Sequence, residues 1–209
     1  MNRLTIALPK GRLADTAADL LAAAGFRLDW EDRQLVAETP DGRLRALLVK
    51  NSDLAEYVAH GVAALGICGD DVLGESGHPL LRLLALPFGA TRMSVCGYPE
   101  PDLPSLLAAG NGLRIATKFV RFTRAWLDSV GTEAEVIRLG GSVELAPVLG
   151  LAPLTVDLVE TGNTLRAHGL VEHRTLSAIR VHVIANPALY KYHHAAVESL
   201  LDSLRSAIA

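Results

Sequence analysis

The chain has 209 residues, of which 50% are hydrophobic and 21% are charged, with a formal net charge of −3. This length allows one large domain or two small ones around a sizeable core. The acidic balance argues against a general nucleic-acid or membrane-surface role. We therefore expect no nucleic-acid and no membrane partner, and any anion binding must come from locally placed cations.

The first residues enter a predicted strand directly, without the charged and apolar regions of a signal peptide. No apolar run is long enough to span a bilayer, so we expect a cytoplasmic protein. Both cysteines, Cys68 and Cys96, lie in apolar runs. This context predicts two buried free thiols rather than a disulfide or a nucleophile.

Short apolar runs alternate with amphipathic stretches along the chain. The first half predicts strand 4–9, helix 13–24, hairpin strands 34–38 and 44–49, helix 53–60, strand 64–68, a helix after a Gly-Asp-Asp turn, and strands 81–87 and 91–98. The second half predicts a turn region at 99–104, strand 113–117, helix 121–130, strand 135–139, helix 143–149, strand 154–159, a helix near Leu165, strands 171–177 and 179–185, and a helix from Pro187 to the end.

This alternation predicts α/β architecture with mainly parallel sheets. Residues 64–73 and 156–165 share one pattern, a buried strand followed by a glycine turn and a helix. We therefore expect two similar lobes that face each other across a cleft. Lobe I would hold residues 1–89 and 179–209, and lobe II residues 90–178. Open α/β sheets bind ligands outside the carboxyl ends of their strands.

Positively charged residues follow three of the predicted strands. They are Lys10 and Arg12 around Gly11, Lys50 after strand 44–49, and Lys118, Arg121 and Arg124 after strand 113–117. A cation at a helix N-terminus is unfavourable by about 0.3–1 kcal/mol unless an anion offsets it. Each cation alone is explained by a solvated surface position, but their grouping at strand ends favours a polyanionic ligand.

Residues 157–164 (D-L-V-E-T-G-N-T) give the strongest single binding signal. Glycine lets the backbone approach a phosphate, while free amides and threonine hydroxyls supply donors. The two carboxylates suit ribose hydroxyls or a hydrated Mg²⁺. The candidate binding residues are Asp157, Glu160, Thr161, Gly162, Asn163 and Thr164. A plain turn with a threonine cap is the alternative, since the loop lacks the lysine of a P-loop.

Two further glycine turns precede predicted helices. In Gly140-Gly141-Ser142, Ser142 is the expected N-cap residue. Gly69-Asp70-Asp71 is acidic, so we expect it to cap a helix rather than to receive phosphate, with contact to a metal or to ribose as the alternative. Composition and spacing thus predict a two-lobed protein for a sugar phosphate and do not identify the reaction.

A family resemblance is carried by A-P-V-L-G-L-A-P-L-T-V-D-L-V-E-T-G-N-T-L-R-A-H-G-L (146–170), which resembles the signature of the ATP phosphoribosyltransferases of histidine biosynthesis. The segments I-R-L-G-G-S-V-E-L (137–145), I-A-L-P-K-G-R-L (6–13), 57–73 and 114–124 fit the same family. The resemblance covers nearly the whole chain in order. It implies two lobes resembling a type II periplasmic binding protein.

The resemblance also implies the reaction and the partners. A ring nitrogen of ATP adenine attacks the anomeric carbon of phosphoribosyl pyrophosphate (PRPP), and pyrophosphate leaves with Mg²⁺ bound to it. The chain ends after its last helix, which is typical of the short form of the family. The short form pairs with a regulatory subunit resembling histidyl-tRNA synthetase, and we expect a hetero-octamer containing catalytic dimers.

Site roles follow from the same resemblance. The loop 157–164 holds the ribose and 5-phosphate of PRPP, Gly11 and Arg12 contribute to PRPP binding, and Lys10 and Lys50 are the candidate catalytic cations. Candidates for ATP binding are Arg33, Glu144 and Lys118. Whether Lys118, Arg121 and Arg124 face a triphosphate or the partner stays open.

Two positions depart from the family pattern. Lys50 stands where arginine is frequent, and a lysine cannot reproduce the bidentate grip of an arginine. Asp70 stands where lysine or arginine is common, so it receives no role. Two alternatives to this function remain: a non-catalytic two-lobed binding module for a small anionic ligand, and a phosphoribosyltransferase with another acceptor.

Overall fold

The computed structural model describes residues 3–30, 34–109 and 112–209. The chain forms two compact units. The first comprises the residues up to Gly89 together with Arg180–Ala209, and the second is Ala90–Ile179. The chain therefore leaves the first unit once and returns to it once.

The strands of the described residues belong to two sheets. In chain order they are β1 (Leu4–Pro9), β2 (Val36–Glu38), β3 (Leu44–Val49), β4 (Leu65–Gly69), β5 (Leu81–Ala85), β6 (Thr91–Gly97), β7 (Arg114–Thr117), β8 (Glu135–Arg138), β9 (Leu154–Val159), β10 (Val171–Ile179) and β11 (Val181–Ala185). The first unit has the sheet order β2-β3-β1-β4-β11-β5, and the second has β10-β6-β9-β7-β8.

The helices of the described residues cover these sheets. They are α1 (Arg12–Ala23), α2 (Leu54–Ala59), α3 (Asp70–Ser76), α4 (Leu103–Ala108), α5 (Val120–Val130), α6 (Leu145–Val148), α7 (Asn163–Ala167), α8 (Pro187–Tyr192) and α9 (His194–Ile208), with a 3₁₀ turn at Asn51–Asp53. In the part of the chain that the structure describes, no helix is both long and apolar enough to cross a membrane.

Two cores surround the sheet of the first unit. Leu8 belongs to a cluster with Leu21 of α1 and Leu200 of α9. Ala7, its neighbour in β1, belongs to another cluster with Leu54 and other residues of α2. Successive residues of a strand point to opposite faces, so both faces of this sheet are covered. This explains why β1 is apolar on both faces from Ile6 to Pro9.

The core of the second unit lies against α5. Met93, Ile115 and Val156 from three strands pack with Trp126 and Leu127 of that helix. Full burial of one such aliphatic side chain contributes about 1.5–3 kcal/mol. The buried strands hold the carboxyl end of β9 in a fixed position, and the loop that follows β9 forms the candidate site.

The prediction of mainly parallel sheets is wrong, because both sheets are mixed. β1 runs parallel to β3 and β4, and β7 runs parallel to β8 and β9. The other pairings are antiparallel. The chain leaves the first unit between β5 and β6 and returns to it between β10 and β11. β5 therefore runs opposite to β11 in the first unit, and β6 runs opposite to β10 in the second. Apolar runs do not reveal strand direction, and the sequence could not show this.

Most predicted elements are confirmed, and strands 4–9, 44–49 and 154–159 have the predicted bounds. Helix α4 was missed, because the predicted turn at 99–104 contains the helix start. The carboxylate of Asp102 accepts a hydrogen bond from the Ser105 amide at 3.0 Å and caps α4. The predicted C-terminal helix is two helices, with His193 between them.

The prediction that Ser142 is an N-cap residue is wrong. Ser142 has a left-handed backbone, with φ at 47°. Helix α6 begins only at Leu145, and Glu144 is its N-cap residue. The Ser142 carbonyl accepts from the Leu145 amide at 3.1 Å, so a turn replaces the first part of the predicted helix.

Candidate functional site

A cavity of about 310 Å³ lies at the carboxyl end of β9 in the second unit. Known ligand sites occupy about 300–1,000 Å³, so this volume suits a small ligand. The cavity is lined by the loop residues 157–165 together with Cys96, Thr155 and Glu144. The structure thus brings Glu144 to the loop that carries the predicted PRPP residues.

The loop turns at Gly162, whose backbone is left-handed with φ at 73°. The amide of Asn163 donates to the Thr161 hydroxyl at 3.4 Å, and α7 begins at Asn163. A turn of this kind directs successive backbone N–H groups into a concave surface that attracts anions. The positive φ favours glycine here, and a Cβ at Gly162 would also lie 3.3 Å from Nη1 of Arg166.

Arg166 is a cation of this loop that the sequence analysis missed. Its guanidinium donates to the side-chain oxygen of Asn163 and lies next to Gly162. Residues three apart on a helix share one face. The spacing from Asn163 to Arg166 was therefore the signal that could have identified it.

Lys118 lies next to Asp157, with Nζ 3.2 Å from Oδ1. Lys118 directly follows β7 and Asp157 lies in β9. These strands are parallel neighbours, with Thr117 beside Val156. The buried Thr117 hydroxyl fixes the strand end, since it donates to the Val156 carbonyl at 2.6 Å and accepts from the Phe119 amide at 2.9 Å. The structure thus joins a predicted ATP residue to a predicted PRPP residue.

The Lys118–Asp157 pair is easily rearranged. The exposed fractions of its two side chains are 40% and 26%. A partly exposed ion pair contributes about 0–1 kcal/mol, so a ligand phosphate can replace the carboxylate at little cost. Arg121 and Arg124, the other basic residues of this cluster, are exposed on α5.

Arg92 and Glu172 are two further residues that the sequence analysis did not assign. Nη1 of Arg92 donates to the Glu160 carbonyl at 3.0 Å, and the rest of the guanidinium donates to the Glu172 carboxylate. Because Arg92 and Glu172 are 80 positions apart, only the sheet order brings them together.

Cys96 contributes a thiol to the cavity wall. Burial, followed by the charges of Glu172 and Asp157, raises the pKa of this thiol to about 12. The thiolate is the nucleophilic form of cysteine, and at neutral pH the thiol stays protonated. Cys68 and Cys96 are both buried and free, as the sequence predicts.

The first unit brings together the predicted pyrophosphate residues at the carboxyl edge of its sheet. Pro9 of β1 is paired with Val49 of β3, so Lys10 and Lys50 follow neighbouring strands at the same level. The amide of Lys10 donates to the Val49 carbonyl at 2.8 Å. Both lysine side chains are exposed, and like charges at one edge favour a bound anion.

Gly11 and Arg12 lie at the same edge, directly after Lys10. Gly11 has φ at 96° and is the N-cap residue of α1. A Cβ at this position would meet no described atom within 4 Å, so the space beside the backbone is open. Arg33, the remaining ATP candidate, lies outside the described residues.

Gly69 is the N-cap residue of α3, so the Gly69-Asp70-Asp71 turn begins a helix as predicted, and Asp70, to which the sequence analysis assigned no role, has a structural one. Its carboxylate accepts from the Arg180 amide at 3.1 Å and from Nε of Arg82 at 2.9 Å, and Nδ1 of His182 lies 3.4 Å away. Its own amide donates to the Arg180 carbonyl at 3.0 Å. Asp70 thus holds the start of β11, where the chain returns to the first unit, which explains an acidic residue at this position.

The fold and the site together define a two-lobed α/β protein of the periplasmic-binding-protein type, with a loop suited to a phosphorylated ligand. The periplasmic aliphatic sulphonate binding protein SsuA from Escherichia coli has this fold. It matches all of this chain and 73% of its own length with a TM-score of 0.65 at 15% identity.

The family model described as HisG, ATP phosphoribosyltransferase, matches residues 50–206. The ATP phosphoribosyltransferase of Geobacillus kaustophilus is 39% identical and covers 98% of both chains. That of Streptococcus gordonii is 43% identical over 91% of this chain and 89% of its own. The solved ATP phosphoribosyl transferase (HisG:HisZ) complex from Thermotoga maritima matches 98% of both chains with a TM-score of 0.87 at 36% identity.

The chain belongs to the ATP phosphoribosyltransferase family. It is a pentosyl-transferring enzyme of the first step of histidine biosynthesis. The family and the fold that the resemblance implied are thereby confirmed, and the binding-module alternative is not favoured.

Replacing Asp70 by Asn tests its structural role. Asn keeps the size of the side chain but loses its charge. We therefore expect the free energy of unfolding to fall by about 1.5–3 kcal/mol, the usual contribution of a hydrogen bond to a charged group. Urea unfolding measures this change. Asp19→Asn, on the exposed face of α1, is the control, and equal stability of the two variants would contradict the role.

Proposed function

We propose that the loop 157–164 binds the ribose 5-phosphate group of PRPP. The observation that carries this proposal is the left-handed turn at Gly162 in the wall of the cavity of about 310 Å³, because turns of this kind offer backbone amides to anions. Thr161, Asn163 and Thr164 add side-chain donors to the same wall. Arg166 supplies a positive charge beside the turn.

We infer a different role for Asp157 and Glu160. Carboxylates accept hydrogen bonds from hydroxyl groups, so these two side chains suit the ribose hydroxyls. Mg²⁺ is usually held by one or two carboxylates together with substrate phosphates. Among residues 3–30, 34–109 and 112–209, no group of three or more metal-ligating side chains is present. The two carboxylates of Asp157 and Glu160 fit a Mg²⁺ ion that is bound mainly by the pyrophosphate of PRPP.

Lys10 and Lys50 are the proposed catalytic residues. As the bond from the anomeric carbon to pyrophosphate breaks, negative charge builds on the leaving group. Preplaced cations stabilise such charge without reorganisation, and these two lysines lie on paired strand ends. Gly11 offers an open approach to the backbone, and Arg12 adds charge. Mg²⁺, when bound, supplies Lewis-acid stabilisation of the same leaving group.

Glu144, Lys118 and Arg33 are the proposed ATP residues. The Lys118–Asp157 pair at 3.2 Å is partly exposed, so an ATP phosphate can compete for the lysine. Glu144 lines the cavity and can accept a hydrogen bond from the adenine amino group. The adenine ring nitrogen carries a free electron pair and attacks without deprotonation, so the proposed mechanism uses no general base.

We further propose that this chain is the catalytic subunit of a hetero-octamer that contains catalytic dimers. Its partner would be a regulatory subunit resembling histidyl-tRNA synthetase. Support comes from the similarity to the solved HisG:HisZ complex of Thermotoga maritima. Because the enzyme consumes ATP for biosynthesis, we propose that it works in the cytoplasm.

Replacing Gly162 by Val tests the phosphate loop. The side chain would be strained at positive φ and would crowd Arg166, so we expect PRPP to bind about tenfold or more weakly, the equivalent of one lost hydrogen bond to a charged group. Gly131→Val is the matched control, because Gly131 has φ at 66° and a Cβ there would meet no described atom within 4 Å. Normal PRPP affinity of Gly162→Val by calorimetry would refute the loop assignment.

Replacing Lys10 by Ala tests the catalytic assignment. Removal of one preorganised charge-stabilising group should lower turnover about 10²–10³-fold with little change in the unfolding midpoint. Lys191→Ala removes an exposed lysine from α8 and serves as the control. Turnover of Lys10→Ala equal to that of the control would refute the role.

Mixing experiments test the assembly. The chain is combined with PRPP, ATP and Mg²⁺, with and without the regulatory subunit encoded by the same organism, and pyrophosphate release is followed. We expect a stable complex by light scattering and a change in the rate of release when the subunit is added. A chain that neither binds this subunit nor changes its rate would contradict the partner assignment.

A further inference from the structure

Arg92 connects the loop of the second unit to the edge strand of its sheet. Nη1 of Arg92 donates to the backbone carbonyl of Glu160 at 3.0 Å. Nε and Nη2 donate to the Glu172 carboxylate at 2.8 Å and 2.6 Å. One guanidinium thus contacts both the loop backbone and a side chain of β10.

Glu172 is held in turn by several donors. Besides Arg92, the hydroxyls of Ser94 and Thr175 donate to its carboxylate at 2.7 Å and 2.6 Å. The pairing of β10 with β6 shifts in register between Glu172 and Arg174. Such irregularities redirect side chains, and here the carboxylate meets donors from β6 and β10. These hydrogen bonds, that of Arg92 first, lower the pKa of Glu172 to about 2, so the group is charged throughout the neutral range.

We propose that Arg92 is a positioning residue for the phosphoribosyl-binding loop, and that Glu172 holds Arg92 in the orientation this requires. This inference rests on the proposed function of residues 157–164. In the proposed roles, Arg92 and Glu172 contact neither PRPP nor ATP. They affect the binding of PRPP through the loop.

The planarity of the peptide bond gives the physical reason. The carbonyl of Glu160 and the amide of Thr161 belong to one rigid peptide plane. When Arg92 fixes the direction of the carbonyl, the N–H of Thr161 is fixed in the opposite direction. This amide directly precedes the left-handed turn at Gly162, so Arg92 sets the first donor of the proposed phosphate site.

An arginine is required by this geometry. The planar fork of the guanidinium contacts a carboxylate with two nitrogens while the third stays free for the carbonyl, and an ammonium group cannot reproduce this arrangement. The exposed fractions of the Arg92 and Glu172 side chains are 37% and 19%, and neither belongs to the apolar core of the unit. Loss of the contact should therefore disturb the loop more than the core.

The test uses Arg92→Lys and Glu172→Gln in the full chain, assembled with its regulatory partner. Initial rates are measured with PRPP varied at saturating ATP, and with ATP varied at saturating PRPP. We expect KM for PRPP to rise on the order of tenfold in both variants, while KM for ATP and the melting temperature stay close to those of the unsubstituted enzyme. The double variant should equal the single variants, because both break the same contact.

Arg205→Lys is the matched control, since Arg205 forms a 2.6 Å ion pair with Asp202 on α9, in the first unit. It should leave both KM values unchanged. If Arg92→Lys does not fold, the isosteric Glu172→Gln decides the question. An unchanged KM for PRPP, or an equal rise in KM for ATP, would overturn the positioning role.

Gly162→Val, measured in the same assay, distinguishes a failure of the loop assignment from a failure of the positioning role of Arg92. If it raises KM for PRPP and the Arg92 and Glu172 variants do not, the positioning role fails and the loop assignment stands. If Gly162→Val also leaves KM for PRPP unchanged, the loop assignment fails, and the positioning role fails with it.

Discussion

The proposed phosphate site of the second unit depends on the direction of the few backbone amides that follow β9. Gly162 has a left-handed backbone in the wall of the cavity, and contacts from several neighbouring residues hold this turn. The buried hydroxyl of Thr117 fixes β9 through the Val156 carbonyl, Arg166 meets Asn163, and Arg92 holds the Glu160 carbonyl. An anion is bound well only by donors that are already oriented, because reorienting them on binding costs free energy.

The two units use the same local pattern for different purposes. β4 with α3, and β9 with α7, are both a strand, a turn and a helix. After β4, the first helical residue is Asp70, whose carboxylate is satisfied by Arg180 and Arg82 and fixes the returning chain. After β9, the corresponding turn lines a cavity. The fold therefore determines where a site can form, and the side chains at that position determine its function.

The sequence predicted well the features that depend on neighbours along the chain. The apolar run of β9, the glycine turn and the short helix after it are local, so strand 154–159 was predicted with its observed bounds and a helix was predicted near Leu165, where α7 lies. The position of Lys10 and Lys50 directly after a strand could also be predicted, but the parallel pairing that brings the two strand ends together could not. In contrast, Ser142 was predicted as an N-cap residue from its type alone, and its left-handed backbone depends on the turn around it.

Features that depend on sheet order could not be predicted. The contact of Lys118 with Asp157 requires that β7 lie beside β9, and the contact of Arg92 with Glu172 requires that β6 lie between β9 and β10. The hydrophobic pattern gives the buried faces of strands but neither their neighbours nor their directions. The charged contacts that support the loop could therefore not be predicted, although six residues between 157 and 164 were named as binding candidates.

The most direct test of this account is to observe the loop amides while a phosphorylated sugar binds. Backbone ¹⁵N–¹H correlation spectra of the chain would be recorded during titration with ribose 5-phosphate and, separately, with ribose. The largest shifts caused by ribose 5-phosphate, and absent with ribose, should belong to residues 161–164. Phosphate-dependent shifts that spare these amides and concentrate elsewhere would contradict the loop assignment.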